Sequence, residues 1–344
     1  MKILVFEYIT GGGFNKQELP DSLVDEGSLM VKALLDNLAG LSSLEVTVML
    51  DWRLVSPTDL HTVIIRPEHD ITEEFCRWVK QCDLVWPIAP EFDGILQTLC
   101  QIVESLGKIL LTSASTAVAI AGNKFKTYER LNQHHIAAVP TRMFEGTYAP
   151  GEWIIKPVDG VGCADSYVIT NRQDFERMTT RKSHECMDAG GRAMQGAAKR
   201  CAEYIIQPHL QGAKTSLSCL FKQGRGWLVC ANLQRFEFTN KQYHLTDIVV
   251  NHHPDLSLYQ ALITKIAGAL PELWGYVGID LIENDQIWVL EINPRLTTSF
   301  VGIYDALGIN IADAVLQLLH GEPMLNPARN KPVTVQAKHE PHAS

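Results

Sequence analysis

WVLEINPR, residues 288–295, follows VGIDL, residues 277–281, across the polar segment ENDQ, residues 283–286. Both runs read as short strands, and a segment of Asn, Asp and Gln is of the kind that reverses the chain. Pairing them as an antiparallel hairpin puts Asp280 and Glu291 on one side of the sheet. Asn293 keeps the period-two register of Glu291 and adds an amide oxygen beside it. Two carboxylates and a carboxamide are hard oxygen donors that suit Mg2+, and Mn2+ can use the same set. The competing reading is an acidic hairpin facing water. Against it, the acids are embedded in YVGIDLI and IWVLEI, and buried carboxylates must be paired, protonated or metal-bound.

The surrounding chain has the length for two or three packed domains: 344 residues, 46% of them hydrophobic. Lys and Arg total 30 against 39 Asp and Glu, a formal charge of -9. That balance argues against a nucleic-acid partner while allowing a local basic pocket for phosphates. No run approaches the length of a membrane span, and MKILVFEY enters a strand instead of a signal peptide, so the expectation is a cytoplasmic protein with no membrane partner. The eight cysteines form no CxxC pair and read as reduced thiols.

Residues 1–112 read as an α/β domain. KILVFEYI is a strand ending in a glycine loop at residues 10–13, residues 22–38 carry apolar positions at helical spacing, and VTVML is a second strand. CDLVWPIAP is a third strand with its loop, residues 92–107 a helix, and KILLT a further strand. Such alternation predicts a mostly parallel sheet with ligands at the C-terminal strand ends, where Glu7, Tyr8, Pro87, Glu91 and Asp93 stand. The glycine loop matches neither GxGxxG nor a lysine-bearing Walker sequence. Gly11, Gly12 and Gly13 either permit a turn or form a backbone nest for a substrate carboxylate. Glu7 either pairs internally or holds an ammonium group, and Tyr8 offers a face to an aromatic amine.

A second region, residues 113–210, contains AGNKFK and then EWIIKPVDGVGC. Lys124 lies in a helical stretch and Lys156 closes an apolar strand. Asp159, Gly160 and Gly162 belong to a small loop whose amides can close over phosphates. For both lysines a phosphate contact stands beside a structural salt bridge. Residues 171–202 are charged and glycine-punctuated, suggesting helices and a mobile cover. EYIIQPHLQG exits a strand at Gln207, Pro208, His209 and Leu210, a place suited to an adenine slot. Residues 211–330 form a third unit: strands around a turn at 223–226, a loop introduced by LTDIVVNHH, a helix at 256–270 packed under the hairpin, and a helix at 311–319. Residues 331–344 read as a polar tail. No local triad supports a serine hydrolase, and the paired histidines 134/135 and 252/253 lack metal-ligand spacing.

Taken together, GNK, IIKP with DGVGC, EYIIQPHLQG and GID…LEINPR resemble the ATP-grasp ligases over residues 113–300. The resemblance implies an N-terminal α/β preATP-grasp domain followed by a two-subdomain α+β ATP-grasp fold. It also implies that Lys124 and Lys156 contact ATP phosphates under the 159–163 loop, that residues 207–210 line the adenine pocket, and that Asp280, Glu291 and Asn293 coordinate the metal. Where many relatives place a ribose-binding acid, this chain has Ala213, Lys214 and Thr215. FEYITGGG and EINPRLTTS further resemble the tyramine–glutamate ligase branch associated with methanofuran or methylofuran biosynthesis.

The chemistry expected from that resemblance is ligation of an amino-acid carboxylate to a small amine through an acyl phosphate. Arg295, just past the metal ligands, is the first choice for stabilising the acyl phosphate or oxyanion, and Arg235 the second. Another amino-acid or peptide ligase, or a small-molecule kinase, would use the same nucleotide site. The amphipathic stretch 23–38 offers a face for a homodimer or for the monomer's own core.

Overall fold

The computed structural model describes residues 1–41, 43–56, 60–160, 165–185, 203–253 and 255–337. The first domain comprises β1 (Lys2–Glu7), α1 (Asp21–Ala39), β2 (Glu45–Asp51), β3 (His61–Ile65), α2 (Ile71–Gln81), β4 (Leu84–Ile88), α3 (Ile95–Ser105) and β5 (Ile109–Leu110). Its five strands are parallel in the order β3-β2-β1-β4-β5. Both faces are covered, and for that reason β1 is continuously apolar, with Ile3, Leu4, Val5 and Phe6 all buried. β3 and α2 fill a stretch in which the sequence suggested no element. α2 begins at Asp70, whose carboxylate accepts from the amides of Thr72 and Glu73 at 2.9 and 3.0 Å.

The glycine loop is an irregular turn, Ile9–Gly13, shaped by packing. A Cβ on Gly11 would stand 2.6 Å from the Phe6 ring, one on Gly13 2.4 Å from the Tyr8 ring, and one on Gly12 2.5 Å from Ile65. Gly12 also has φ +101°, a conformation that L side chains rarely adopt. The three glycines are therefore accounted for by close approach of Phe6, Ile65 and Tyr8 and by the turn itself. An outward-facing nest is not needed to explain them.

The chain then runs through α4 (Ser115–Ala121), α5 (Lys124–Gln133), β6 (Arg142–Met143), β7 (Trp153–Pro157), β8 (Tyr167–Ile169), α6 (Arg172–Glu185) and β9 (Tyr204–Pro208). The strands form an antiparallel sheet ordered β6-β9-β7-β8. The last unit holds β10 (Ala213–Lys222), β11 (Arg225–Thr239), β12 (Gln242–Val250), α7 (Ser257–Ala269), β13 (Gly275–Glu283), β14 (Ile287–Asn293), α8 (Ile303–Leu307), α9 (Ile311–Gln317) and β15 (Val333–Gln336). These strands make a six-stranded antiparallel sheet in the order β14-β13-β10-β11-β12-β15. The fold is thus an α/β domain followed by two α+β subdomains. α7 packs Ile263 and Ile266 in one core with Ile279, Leu281 and Ile292 of the hairpin.

One expectation changes, for residues 333–336, and two stretches find their places. Residues 245–250, read as introducing a loop, complete β12 before it, their β-branched run paired with β11 on one side and β15 on the other. Residues 333–336, assigned to a polar tail, form that edge strand, with Val335 turned into the core. The apolar face of α1 is spent inside the monomer: Met30, Val31, Leu34, Leu35 and Leu38 share a core with Ile311, Ala312 and Val315 of α9. Asn37 ties the two helices, accepting from the Ile311 amide at 3.1 Å while its carbonyl accepts from Asn310 at 2.8 Å. Among the described residues no single helix is long and apolar enough to cross a membrane.

Gly12→Ala combines overpacking against Ile65 with a strained φ. The expected cost is about 2–4 kcal/mol of folding stability, read as a lower urea midpoint. An unchanged midpoint would show that the turn relaxes freely.

Candidate active site

The hairpin brings Asp280 of β13 directly opposite Glu291 of β14. Asn293 donates to Asp280 at 3.1 Å, and Gln234 of β11 donates to its other oxygen at 2.9 Å. Burial, followed by the neighbouring Glu291 charge, pushes the Asp280 carboxyl up to about 8. Burial acts the same way on Glu291, but Lys124 and Lys156 outweigh it and hold that carboxyl below its ordinary value. Their ammonium groups lie 3.5 and 3.8 Å from Glu291.

Each lysine owes its place to local structure. Asn123 caps α5 by accepting from the Lys126 amide at 2.9 Å, which starts the helix at Lys124 and aims it at the hairpin. Lys124 also donates to the Gly160 carbonyl at 2.5 Å. Lys156 lies near the end of β7, in the middle of the small sheet. Asp159 accepts from the Asp93 amide at 3.1 Å, linking this loop to the first domain. Gly162 and most of the expected cover at 171–202 lie outside the described residues.

A cavity runs between the two antiparallel sheets, with Ile154, Lys156 and Val168 on one wall and Gln234, Phe236, Asp280, Glu291 and Asn293 on the other. Of the strand exit 207–210, His209 and Leu210 line it. His209 contacts the Tyr243 hydroxyl at 2.9 Å and Glu152 at 3.4 Å. Gln207 instead turns away and donates to Thr141 at 2.8 Å, and Pro208 pairs opposite Trp153 without lining the cavity. Lys214 also lines the wall, its ammonium 3.6 Å from the Tyr243 ring centre.

The two arginine candidates separate. Arg295 is buried at the cavity floor and grips Glu91 with two hydrogen bonds of 2.8 and 3.0 Å. Burial opposes its charge, and Glu91 more than offsets that opposition. Arg235 points to the opposite side of β11 from its neighbours Gln234 and Phe236, is exposed, and pairs with Asp247 at 3.2 Å. The structure does not bring it to the site.

A smaller cavity adjoins Arg295 and is bordered by Glu7, whose carboxylate accepts from the amide and hydroxyl of Thr10, both at 2.7 Å. Tyr8 does not line either cavity; its ring packs over Gly13 and edge-on to Phe6 and Phe14. Sequence reasoning left Gln234, the pairing of Glu91 and the contribution of Glu26 unassigned. Gln234 and Phe236 share a side of β11 by strand alternation, a signal present in the sequence. Glu26 has no comparable signal, because its bond to Thr298 joins residues 272 positions apart.

The donor set fits a hard divalent cation. Two buried carboxylates face one another with an amide alongside, and only a proton or a cation relieves their repulsion. Among the described residues no three His, Cys, Asp or Glu side chains converge as metal ligands. With two carboxylates, the remaining positions on Mg2+ fall to water and substrate phosphate, which is the usual arrangement for this ion.

Residues 121–299 match the ATP-grasp domain family, and residues 44–118 match the pre ATP-grasp 3 domain. The chain belongs to the ATP-grasp family. It is 25% identical to the tyramine–L-glutamate ligase of Methanocaldococcus fervens, over 88% of this chain and 89% of that protein. Identity to the enzyme of the same name from Methanocaldococcus jannaschii is 26%, over 88% of this chain and 84% of that one. Among solved structures, an ATP-grasp superfamily protein from Archaeoglobus fulgidus superposes with a TM-score of 0.71 at 21% identity, covering 100% of this chain and 96% of that one.

Glu91→Ala would leave the buried Arg295 guanidinium without its carboxylate, at a cost of about 3–5 kcal/mol. Replacing both partners with apolar residues, as in Glu91→Leu with Arg295→Met, should recover much of that loss. Denaturant titration of the single and double variants checks it; a double variant as unstable as the single one would contradict the pairing argument.

Proposed function

We propose that the protein is an ATP-dependent carboxylate–amine ligase that forms an amide through an acyl phosphate, joining L-glutamate to tyramine or a related amine. The observation that carries this reading is the convergence of Lys124 and Lys156 on the Asp280–Glu291 pair, with Arg295 bordering the same cavity. Support for the substrates comes from the two tyramine–L-glutamate ligases, which align with this chain over most of its length. Residues 1–112 would then serve the substrate end, and residues 113–210 and 211–330 the two walls around the nucleotide, in a cytoplasmic enzyme.

On this reading Asp280, Glu291 and Asn293 would hold Mg2+, which when bound would supply positive charge to the phosphate oxygens. Lys124 and Lys156, now directed at Glu291, would turn their charge to the phosphates of ATP, with Lys124 also held by the Gly160 carbonyl. His209 and Leu210 bound the base end of the cavity. The substrate carboxylate attacks the γ-phosphorus and ADP departs; the amine, arriving as an ammonium ion, loses one proton to water, its freed lone pair attacks the acyl carbon, and a second proton leaves the nitrogen to water as the amide forms. The bond from that carbon to the phosphate oxygen breaks, and phosphate leaves with the electron pair. Arg295 supplies its guanidinium to the oxygen that gains charge in this step, held in place by Glu91.

Incubation with ATP, Mg2+, L-glutamate and tyramine should yield ADP, phosphate and the amide. Release of AMP and pyrophosphate would sink the mechanism, and a far higher kcat/KM with another amine would sink tyramine alone. Asp280→Ala and Glu291→Ala should each remove several kcal/mol of transition-state stabilisation, on the order of a hundredfold or more in kcat. Lys156→Ala should chiefly raise the KM for ATP. Steady-state kinetics at saturating substrate separates these effects, and near-normal turnover in both acid variants would overturn the metal assignment.

A further inference from the structure

The smaller cavity lies between the C-terminal ends of β1 and β4 and the flank of α1. Its polar lining is Glu7, Glu26 and Arg295, and Leu23, Met30 and Ile88 contribute its apolar side. Arg295 and Glu26 also line the main cavity, so the two spaces meet at these side chains.

The charges in this space do not balance internally. Arg295 is committed to Glu91 through both of its hydrogen bonds to that carboxylate. Among the described residues no cation lies within salt-bridge distance of Glu7 or Glu26; Glu7 is held by Thr10, and Glu26 accepts from the Thr298 hydroxyl. Glu7 is 3% exposed, and a buried carboxylate without a counter-ion is costly. Burial, moderated by hydrogen bonds from Thr10 and Ile9 and least by the more distant Arg295 charge, pushes Glu7 up to about 7.

The helix opposite has been cut away to admit this carboxylate. Gly27 stands within α1 at an ordinary helical φ, where glycine costs roughly 1 kcal/mol relative to alanine. A Cβ at that position would lie 2.6 Å from a Glu7 carboxylate oxygen. The missing side chain therefore leaves room for a charged group that the fold alone has no need to bury.

We propose that this cavity is the acceptor subsite, seating a primary amine as its ammonium ion against Glu7 and Glu26, with the amine's apolar body along Leu23, Met30 and Ile88. Gly27 is the residue that sets the position of Glu7. The assignment rests on the ligase reading for its place in the reaction. An ammonium supplies a counter-charge for Glu7 and Glu26, in a space that shares Arg295 and Glu26 with the main cavity. A neutral analogue of the same shape gains the apolar contacts but leaves the carboxylates unpaired.

The test is calorimetric titration of the full chain, with Mg2+ and a non-hydrolysable ATP analogue present, using tyramine and its neutral isostere tyrosol. Tyramine should bind at least tenfold more tightly than tyrosol, and Glu7→Gln and Gly27→Ala should each erase most of that preference. Equal binding of the two probes, no detectable tyramine binding, or a preference that survives both substitutions would overturn the subsite. Should Glu7→Gln fail to fold by its melting curve, Gly27→Ala and Glu26→Gln decide. Wild-type protein with ATP, Mg2+, L-glutamate and hydroxylamine tests the ligase reading separately, since hydroxylamine traps an acyl phosphate as hydroxamate. No hydroxamate across a panel of amino acids would overturn that reading, while the ratio of tyramine to tyrosol binding would still decide the cavity.

Discussion

Two carboxylates placed opposite one another in a buried hairpin repel, and much of the last two subdomains is arranged around that repulsion. Asp280 and Glu291 cannot both carry charge there without compensation. Compensation comes from two directions: Lys124 at the start of α5 and Lys156 near the end of β7 in the small sheet both reach Glu291. Through Lys156 the two sheets are joined by charge across the main cavity. A buried cluster of this kind is poor stabilising material, because desolvation consumes most of the Coulombic gain. Its retention makes better sense as a site ready to exchange internal partners for phosphate and metal.

The Arg295–Glu91 pair does for the first domain what the lysines do for the small sheet. Glu91 follows β4, and Arg295 follows β14, so one bidentate contact fixes the C-terminal end of the parallel sheet's strands against the end of the hairpin. Thr112 adds a second tether, donating to the Pro294 carbonyl at 2.8 Å. The NPR segment is therefore constrained on both sides of the residue that must be positioned. Its arginine borders both cavities because it stands at this junction.

What could be read from the sequence follows from how local the determining physics is. The hairpin register depends on period-two alternation, and Asp280, Glu291 and Asn293 come together as expected. Lys156 is legible as a charge closing an apolar strand and Lys124 as a charge in a helical stretch, and the parallel sheet as alternating short strands and helices. The Gly11–Gly12–Gly13 turn is different: only the positions of Phe6, Ile65 and Tyr8 show that packing requires those glycines. Arg235 could not be told from Arg295 by composition, since a strand's bend and facing partner decide which side an arginine takes. Glu91 was visible at a strand end, but its partner lies 204 residues away. β15 was obscured because a short edge strand in a polar stretch and an irregular tail look alike until the neighbouring strand is known.

The distribution of charge finally sorts the two cavities by the ligands they can take. In the main cavity burial and the neighbouring Glu291 charge push the Asp280 carboxyl up, while Lys124 and Lys156 converge on Glu291 at 3.5 and 3.8 Å, a concentration of positive charge that favours polyphosphate. In the smaller cavity Arg295, the one cation among its described lining residues, is paired with Glu91, and Glu7 and Glu26 stand beside it. Two spaces of different charge thus meet at one guanidinium. Carboxylate–amine ligation needs that juxtaposition: the activated acid must be held among positive charge, while the amine is attracted from the opposite side. A kinase would need the first half of this arrangement and would have no use for the second.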